Sequence, residues 1–289
     1  MKRLPLLKPI DNLEDAAVLD PAVKAVQKGV ESVIRPQWLR DILHGVPIGH
    51  ALHPLMILAP AGAWLSAAGL DLVPGTERAS RMLVGAGVIS ALPTAAAGFN
   101  DWSQLHAQQQ RVGLVHSAAN ILATTLYAAS YVQRRRGRHV SGKVLGYAGL
   151  ALVSGGGYLG GHLSYAMAAG ANHAEDVPHL VPSGWQPLAP LDDVPERTLQ
   201  QRYLGDVSVL LYRRGDRVSA LSAKCSHLSG PLGEGTLIEG GDDPCVVCPW
   251  HGSVFEIETG EVVHGPATAP QHRFRTRVVD GMIEVSLPG

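Results

Sequence analysis

Charge is distributed along this chain in blocks, and the blocks decide what it can fold into. Four stretches contain no Asp, Glu, Lys or Arg: Ile42 to Leu70, Met82 to Asn100, Val112 to Gln133 and Val144 to Ala174. A helix rising about 1.5 Å per residue crosses a hydrocarbon layer of about 30 Å with about 20 predominantly apolar residues, and each stretch is long enough to span one. Joined only by short charged connections, four such segments are hard to solvate as a water-soluble bundle, whose helices keep a polar face. Four transmembrane helices are expected. Ala59, Ala63 and Ala67 recur every four residues, and Gly155, Gly156, Gly157, Gly160 and Gly161 crowd the last segment. Such small residues let helices approach closely. Pro54, Pro60 and Pro93 predict kinks.

Most charged residues fall in the flanks, before Ile42 and after Ala174, so the flanks have the composition of water-exposed chain. With 24 basic against 25 acidic residues, no concentrated basic surface exists for nucleic acid. A hydrophobic content of 46% excludes disorder. The segment before Ile42 is expected to hold no signal peptide, lacking its apolar core and small-residue cleavage site. Leu13 to Leu43 alternates charged and apolar positions at helical spacing, which predicts an amphipathic interfacial helix or a solvated extension leading into the first span. Asn172 to Pro195, rich in Pro and His, reads as a linker and domain entry. From Gln201 the pattern turns to short alternating runs, Val207 to Tyr212 and Arg217 to Leu221, punctuated by turns. That predicts a small β domain.

All three cysteines, Cys225, Cys245 and Cys248, lie within this domain. Cys225-Ser226-His227 and Cys248-Pro249-Trp250-His251 offer two thiolates and two imidazoles from separate loops. The count satisfies a mononuclear zinc site, although zinc loops usually space their ligands differently. It also satisfies a two-iron cluster in which each loop gives one ligand to each iron. Cys225 to Leu232 and Cys248 to Phe255, followed by Thr259-Gly260 and Gly265-Pro266-Ala267, resemble the Rieske 2Fe-2S family over about Trp185 to Gly289. The resemblance implies that Cys225 and Cys248 ligate one iron and His227 and His251 the other, at the tip of a β sandwich. Trp250 stands where quinol-oxidising members carry a cysteine, which implies the ferredoxin-like variety. Cys245 matches no ligand position and is expected to be a small buried apolar residue. Ser253 occupies the place of a hydroxyl donor and Phe255 that of a phenol donor in high-potential members, which implies an intermediate potential. The chain after His251 is too short to hold the mononuclear-iron domain of a Rieske oxygenase. An oxidoreductase component without a recognisable catalytic site of its own is therefore expected.

The apolar region, through Gly49-His50-Ala51-Leu52-His53-Pro54, Gly98 to Trp102, His116 to Asn120, Leu126-Tyr127 and Gly161-His162, resembles a four-helix bacterial membrane family of unknown function. Four spans put most of its histidines on one side, with His53, His116 and His162 inside the hydrocarbon edge, where ionisable groups are costly and usually functional. With His50 they admit three uses: axial ligation of a haem b, a quinone or proton site, or hydrogen bonds across helices.

The expected architecture is thus an α-helical transmembrane four-helix bundle plus a small all-β Rieske sandwich. Its expected divisions are an amphipathic segment (1–46), the bundle (47–170), a linker (171–184) and the Rieske domain (185–289). The expected location is a bacterial inner membrane, with the Rieske domain and the N-terminus on one side. Near the span ends, that side carries Arg35, Arg40 and Arg111, whereas the other carries Arg78, Arg81, Arg134, Arg135, Arg136, Arg138 and Lys143. The imbalance predicts an external Rieske domain. The expected function is one-electron transfer to or from a quinone, a haem or a redox partner protein. A membrane redox sensor and the electron donor of a separately encoded oxygenase or reductase are the alternatives.

Overall fold

The computed structural model describes residues 8–240 and 243–288; the start of the amphipathic segment, before Lys8, lies outside them. The chain forms two compact units, residues 1–35 with 52–169 and residues 36–51 with 170–289.

From Lys8 to Tyr165 the chain is helical: α1 (Lys8–Glu14), α2 (Asp20–Val33), α3 (Gln37–His44), α4 (Leu52–Met56), α5 (Leu58–Leu70), α6 (Glu77–Trp102), α7 (Ala107–Arg135) and α8 (His139–Tyr165). All of these except α3 make up the first unit. Among the described residues, three segments are long and apolar enough to cross a membrane: Leu52–Leu70, Glu77–Trp102 and Ala107–Arg135. The expected fourth, α8, has the length, but its many glycines dilute its apolarity. Leu65, Met82, Ile89, Leu92, Ile121 and Val144 are each more than half exposed, an apolar exterior suited to lipid rather than water.

The first charge-free stretch is not one helix. Gly45 and Gly49 adopt φ of 89° and 68°, and Pro47 lies in the turn between them, so helix formation restarts only at Leu52. Pro60 has no N–H to offer the Met56 carbonyl four residues back, and the Thr94 hydroxyl of α6 donates to it instead at 3.3 Å. The single amphipathic helix expected over Leu13 to Leu43 is likewise broken. Pro36 separates α2 from α3, which belongs to the second unit.

Within the helical unit, Trp64 stacks on Tyr127 with ring centroids 4.2 Å apart. The fit depends on glycine, since a Cβ on Gly87 would collide with the Trp64 indole and one on Gly149 would lie 2.9 Å from the Tyr127 ring. Nearby Arg134 is 2% exposed and grips Asp71 with both terminal nitrogens, at 2.7 and 2.5 Å, while also donating to the Ser80 and Ser130 hydroxyls.

The second unit holds α3, α9 (Val177–Leu180) and a run of strands: β1 (Gln186–Pro190), β2 (Leu199–Leu204), β3 (Val207–Arg214), β4 (Arg217–Ser222), β5 (Thr236–Ile238), β6 (Cys245–Val247), β7 (Val254–Glu256), β8 (Val262–His264), β9 (Arg273–Val279) and β10 (Met282–Ser286). An antiparallel six-stranded sheet runs β1-β10-β9-β4-β3-β2, and a four-stranded sheet runs β5-β6-β7-β8. Val209, Leu211, Phe274, Ile283 and Val285 form the core of the larger sheet. Leu210, Leu232, Val246, Phe255 and Ile257 form a second core together with Cys225 and Cys248. The alternation of β6 sends Val246 into that core and leaves Cys245 only partly buried, correcting its expected burial.

Candidate metal centre

Cys225 and Cys248 head two loops closed in the same way. The Cys225 N–H donates to the Gly230 carbonyl, and the Cys225 carbonyl accepts from Ser229 N–H, both at 2.9 Å. The Cys248 N–H donates to Ser253 O at 2.8 Å, and its carbonyl accepts from Gly252 N–H at 3.1 Å. The fourth position beyond each cysteine is left-handed, Ser229 at φ 62° and Gly252 at 74°. His227, second after its cysteine, and His251, third after its own, are thereby turned into one region, with imidazole centroids 5.1 Å apart.

The thiols are buried, at 1% and 3% exposure, whereas the two histidines are half-buried. Hydrogen bonding to the Cys225 sulfur, helped by the Trp250 and His251 N–H groups, holds the Cys248 thiol below the usual thiol range, while hydrogen bonding to Cys248 and burial push the Cys225 thiol up against the pull of the His227 and Leu228 N–H groups. Backbone donors therefore converge on both sulfurs, as a site for anionic sulfur requires. A Cβ on Gly230 would stand 2.6 Å from Cys248 Sγ, so only glycine lets the first loop close over the second thiol. Among the described residues no three His, Cys, Asp or Glu side chains converge on one ion position. Paired sulfurs beside paired imidazoles are the donor set that a two-iron cluster with mixed ligation needs.

Further contacts brace this centre. The Ser253 hydroxyl accepts from Ala267 N–H at 3.0 Å, and Ser226 donates to the Ala269 carbonyl at 2.7 Å, tying both loops to the segment after β8. The His173 N–H donates to Ser226 O at 2.8 Å. In the amide orientation that satisfies both partners, Gln271 bridges Lys224 O and Ser226 N–H, at 3.0 and 2.8 Å. Ser226, Ser253 and Ala267 stand inside the sequence motifs, whereas His173 and Gln271 carry no local sequence signal, because each acts on a partner far along the chain.

Residues 184–278 match the Rieske [2Fe-2S] domain, and residues 49–173 match a family described as predicted membrane protein DUF2231. The ferredoxin subunit of anthranilate 1,2-dioxygenase from Burkholderia cepacia is 34% identical over 103 residues, 36% of this chain and 92% of that protein. The chain belongs to the Rieske [2Fe-2S] family. Apoptosis-inducing factor 3 of Mus musculus is also 34% identical, over 30% of this chain, but the match spans only 14% of that protein's length. Among solved structures, the ferredoxin of carbazole 1,9a-dioxygenase from Nocardioides aromaticivorans is 25% identical, covering 37% of this chain and 100% of its own, with a TM-score of 0.34. The chain is a Rieske domain joined to a DUF2231 domain, and a 2Fe-2S cluster is the cofactor of the former.

The histidines of the helical unit are distributed differently from the Cys and His residues of these two loops. His53 and His116 face each other with centroids 6.5 Å apart. Each directs Nδ1 to a backbone carbonyl, Thr94 O at 2.9 Å and Gly156 O at 2.7 Å. Carbonyls only accept, so Nδ1 is the donor in each ring. His162 turns instead to Glu14 of α1, with Nε2 3.0 Å from Oε1. His50 is an exposed residue of the second unit.

Proposed function

We propose that this protein is a membrane-bound one-electron carrier whose cluster is held by Cys225 and Cys248 on one iron and His227 and His251 on the other. The observation that carries this reading is the pair of matched loops that set two buried thiols beside two half-buried imidazoles. When bound, the cluster stores and releases a single electron. The chain's own contribution is to supply backbone N–H donors to the sulfurs, which favour the more negative reduced state, and to bury the thiols away from solvent. Partly exposed His227 and His251 give the imidazole edges a path to a partner and allow a proton to accompany the electron.

The relatives named as dioxygenase ferredoxin subunits support a redox protein as that partner, of the oxygenase or reductase class. The test is EPR of the reduced, detergent-purified protein. The wild type should give a Rieske signal, and alanine at Cys225, His227, Cys248 or His251 should remove it. A Rieske signal retained in any of these variants overturns the ligand assignment. Electron delivery to a purified reductase or oxygenase supports the carrier; a redox-dependent protease pattern without such transfer supports the sensor instead.

A second reading concerns the helical unit. Its observation is the His53 and His116 pair, each directing Nδ1 to a carbonyl; in the neutral ring that leaves Nε2 with a lone pair able to serve a haem b iron or to accept from the hydroxyl of a quinol headgroup. His116 Nε2 also lies 3.3 Å from the Asn120 amide nitrogen. An optical spectrum of protein expressed with haem supplied checks it: a low-spin haem band lost in His53→Ala supports haem, and no such band leaves quinone contact to be tested by binding.

For location, the reading is a bacterial inner membrane with the Rieske domain external. Arg134 is consumed by Asp71 and Arg111 by Asp20, yet the basic excess on the other side persists. Protease shaving of spheroplasts should cut the β domain, and an uncut domain reverses the orientation.

A further inference from the structure

Helix α3 is amphipathic in the inverted sense. Two of its polar residues are buried on the β domain: Asp41 is 9% exposed and His44 1%. The Asp41 carboxylate accepts from His264 Nδ1–H at 2.9 Å and from Gly265 N–H at 3.0 Å. A Cβ on Gly265 would lie 3.0 Å from the His44 ring and 3.1 Å from Val46, so helix and loop meet closely. This loop continues into Ala267, whose N–H is bound by Ser253 of the second cluster loop.

At about 100° per residue, Trp38, Leu39, Ile42 and Leu43 occupy the opposite face. Trp38 is 65% exposed and Ile42 45%, and Ile48 in the following turn is 54% exposed. Water would select the reverse arrangement, with apolar side chains inward and Asp41 outward. An open apolar stripe containing Trp, shortly before the first membrane-capable segment at Leu52, has the composition of a helix lying in the headgroup layer.

We propose that the apolar face of α3, formed by Trp38, Leu39, Ile42 and Leu43, lies in a lipid bilayer interface while its Asp41 face holds the loop that backs the cluster centre. The Rieske unit is then seated on the membrane by a helix of its own. This rests on the reading that the helical unit spans a membrane, and the experiment separates the two.

Full-length protein is reconstituted in phosphatidylcholine vesicles with plain or brominated acyl chains, and the wild type is compared with Trp38→Phe. The difference emission between the two proteins isolates Trp38 from the other tryptophans. Bromine should quench it severalfold, and aqueous iodide should leave it unchanged. In the Trp38→Phe background, Ile42→Trp should restore a bromine-sensitive component. Difference emission quenched by iodide places the stripe in water, and emission sensitive to neither agent places it against protein, either a partner or a second copy. Both results overturn the proposal. Flotation of both proteins with the vesicles reports separately on the membrane reading, which fails if neither floats.

Discussion

Among single residues, the centre depends on two backbone positions of the first loop, Gly230 and Ser229. Gly230 closes the first loop over Cys248 Sγ, where a Cβ would stand only 2.6 Å from the sulfur, well inside van der Waals contact. Gly230→Ala should therefore fold, because the β core is untouched, yet fail to bind the cluster. The absorption and EPR spectra of the purified variant check this. Ser229 sits at φ 62°, matching Gly252 in the second loop. A left-handed non-glycine residue costs about 1–2 kcal/mol, and Ser229 recovers part of this through its contact with His173 Nδ1 at 3.4 Å. Ser229→Gly should match or exceed the wild type in thermal stability, whereas Ser229→Val, β-branched at a left-handed position, should lower it and weaken cluster retention. Cys225, His227, Cys248 and His251 were legible because their order and spacing are local. Gly230 stood inside the same motif, but its steric role depends on where the other loop comes to lie.

Between elements, polar contacts hold segments that are distant in sequence. Arg134 of α7 binds Asp71, which follows α5, with side chains 1% and 3% exposed. Removing one partner of such a pair leaves an uncompensated charge and typically costs about 3–5 kcal/mol. Asp71→Ala should lower the thermal midpoint of the detergent-solubilised protein sharply, while Arg134→Met with Asp71→Leu should recover much of the loss. In the β domain, the Tyr212 hydroxyl, and after it the Arg197 guanidinium, hold the Glu239 carboxyl below the usual carboxylate range. The folded value is depressed, so the contribution is complete above the ordinary carboxylate pKa and is lost as pH falls through the folded one. Acidification below about pH 4.5 should thus loosen the end of β5 first. Hydrogen exchange at Ile238 and Glu239 measures it, and in Glu239→Gln the acid-dependent change should be absent. The apolar stretches of α5 to α8 were legible from their lack of charge. The breaks at Pro36, Gly45 and Gly49, which set residues 36–51 apart, were present in the sequence as residues, but hydropathy runs straight through them.

Across the molecule as a whole, chain order and spatial grouping disagree. Residues 36–51 stand between two parts of the helical unit in sequence, yet they fold with the β domain. A fragment of residues 170–289 therefore lacks Asp41 and His44, which removes the carboxylate that Gly265 N–H and His264 donate to. Its thermal midpoint should rise when a peptide of residues 36–51 is added, and the same peptide with Asp41→Ala should give little or no rise. An unaltered midpoint with the native peptide would mean that α3 contributes nothing to the β domain. Short windows of chain sufficed to locate the apolar helices, the β domain and the four ligand candidates, because hydrophobic length, period-two alternation and loop motifs are all local properties. The folded chain alone reveals that His53 pairs with His116 while His162 turns to Glu14, that Asp41 reaches across 224 positions to Gly265, and that glycine is required where two loops or a helix and a ring meet. Those contacts depend on how separate elements pack, and packing distances of a few tenths of an ångström are not encoded in any single segment.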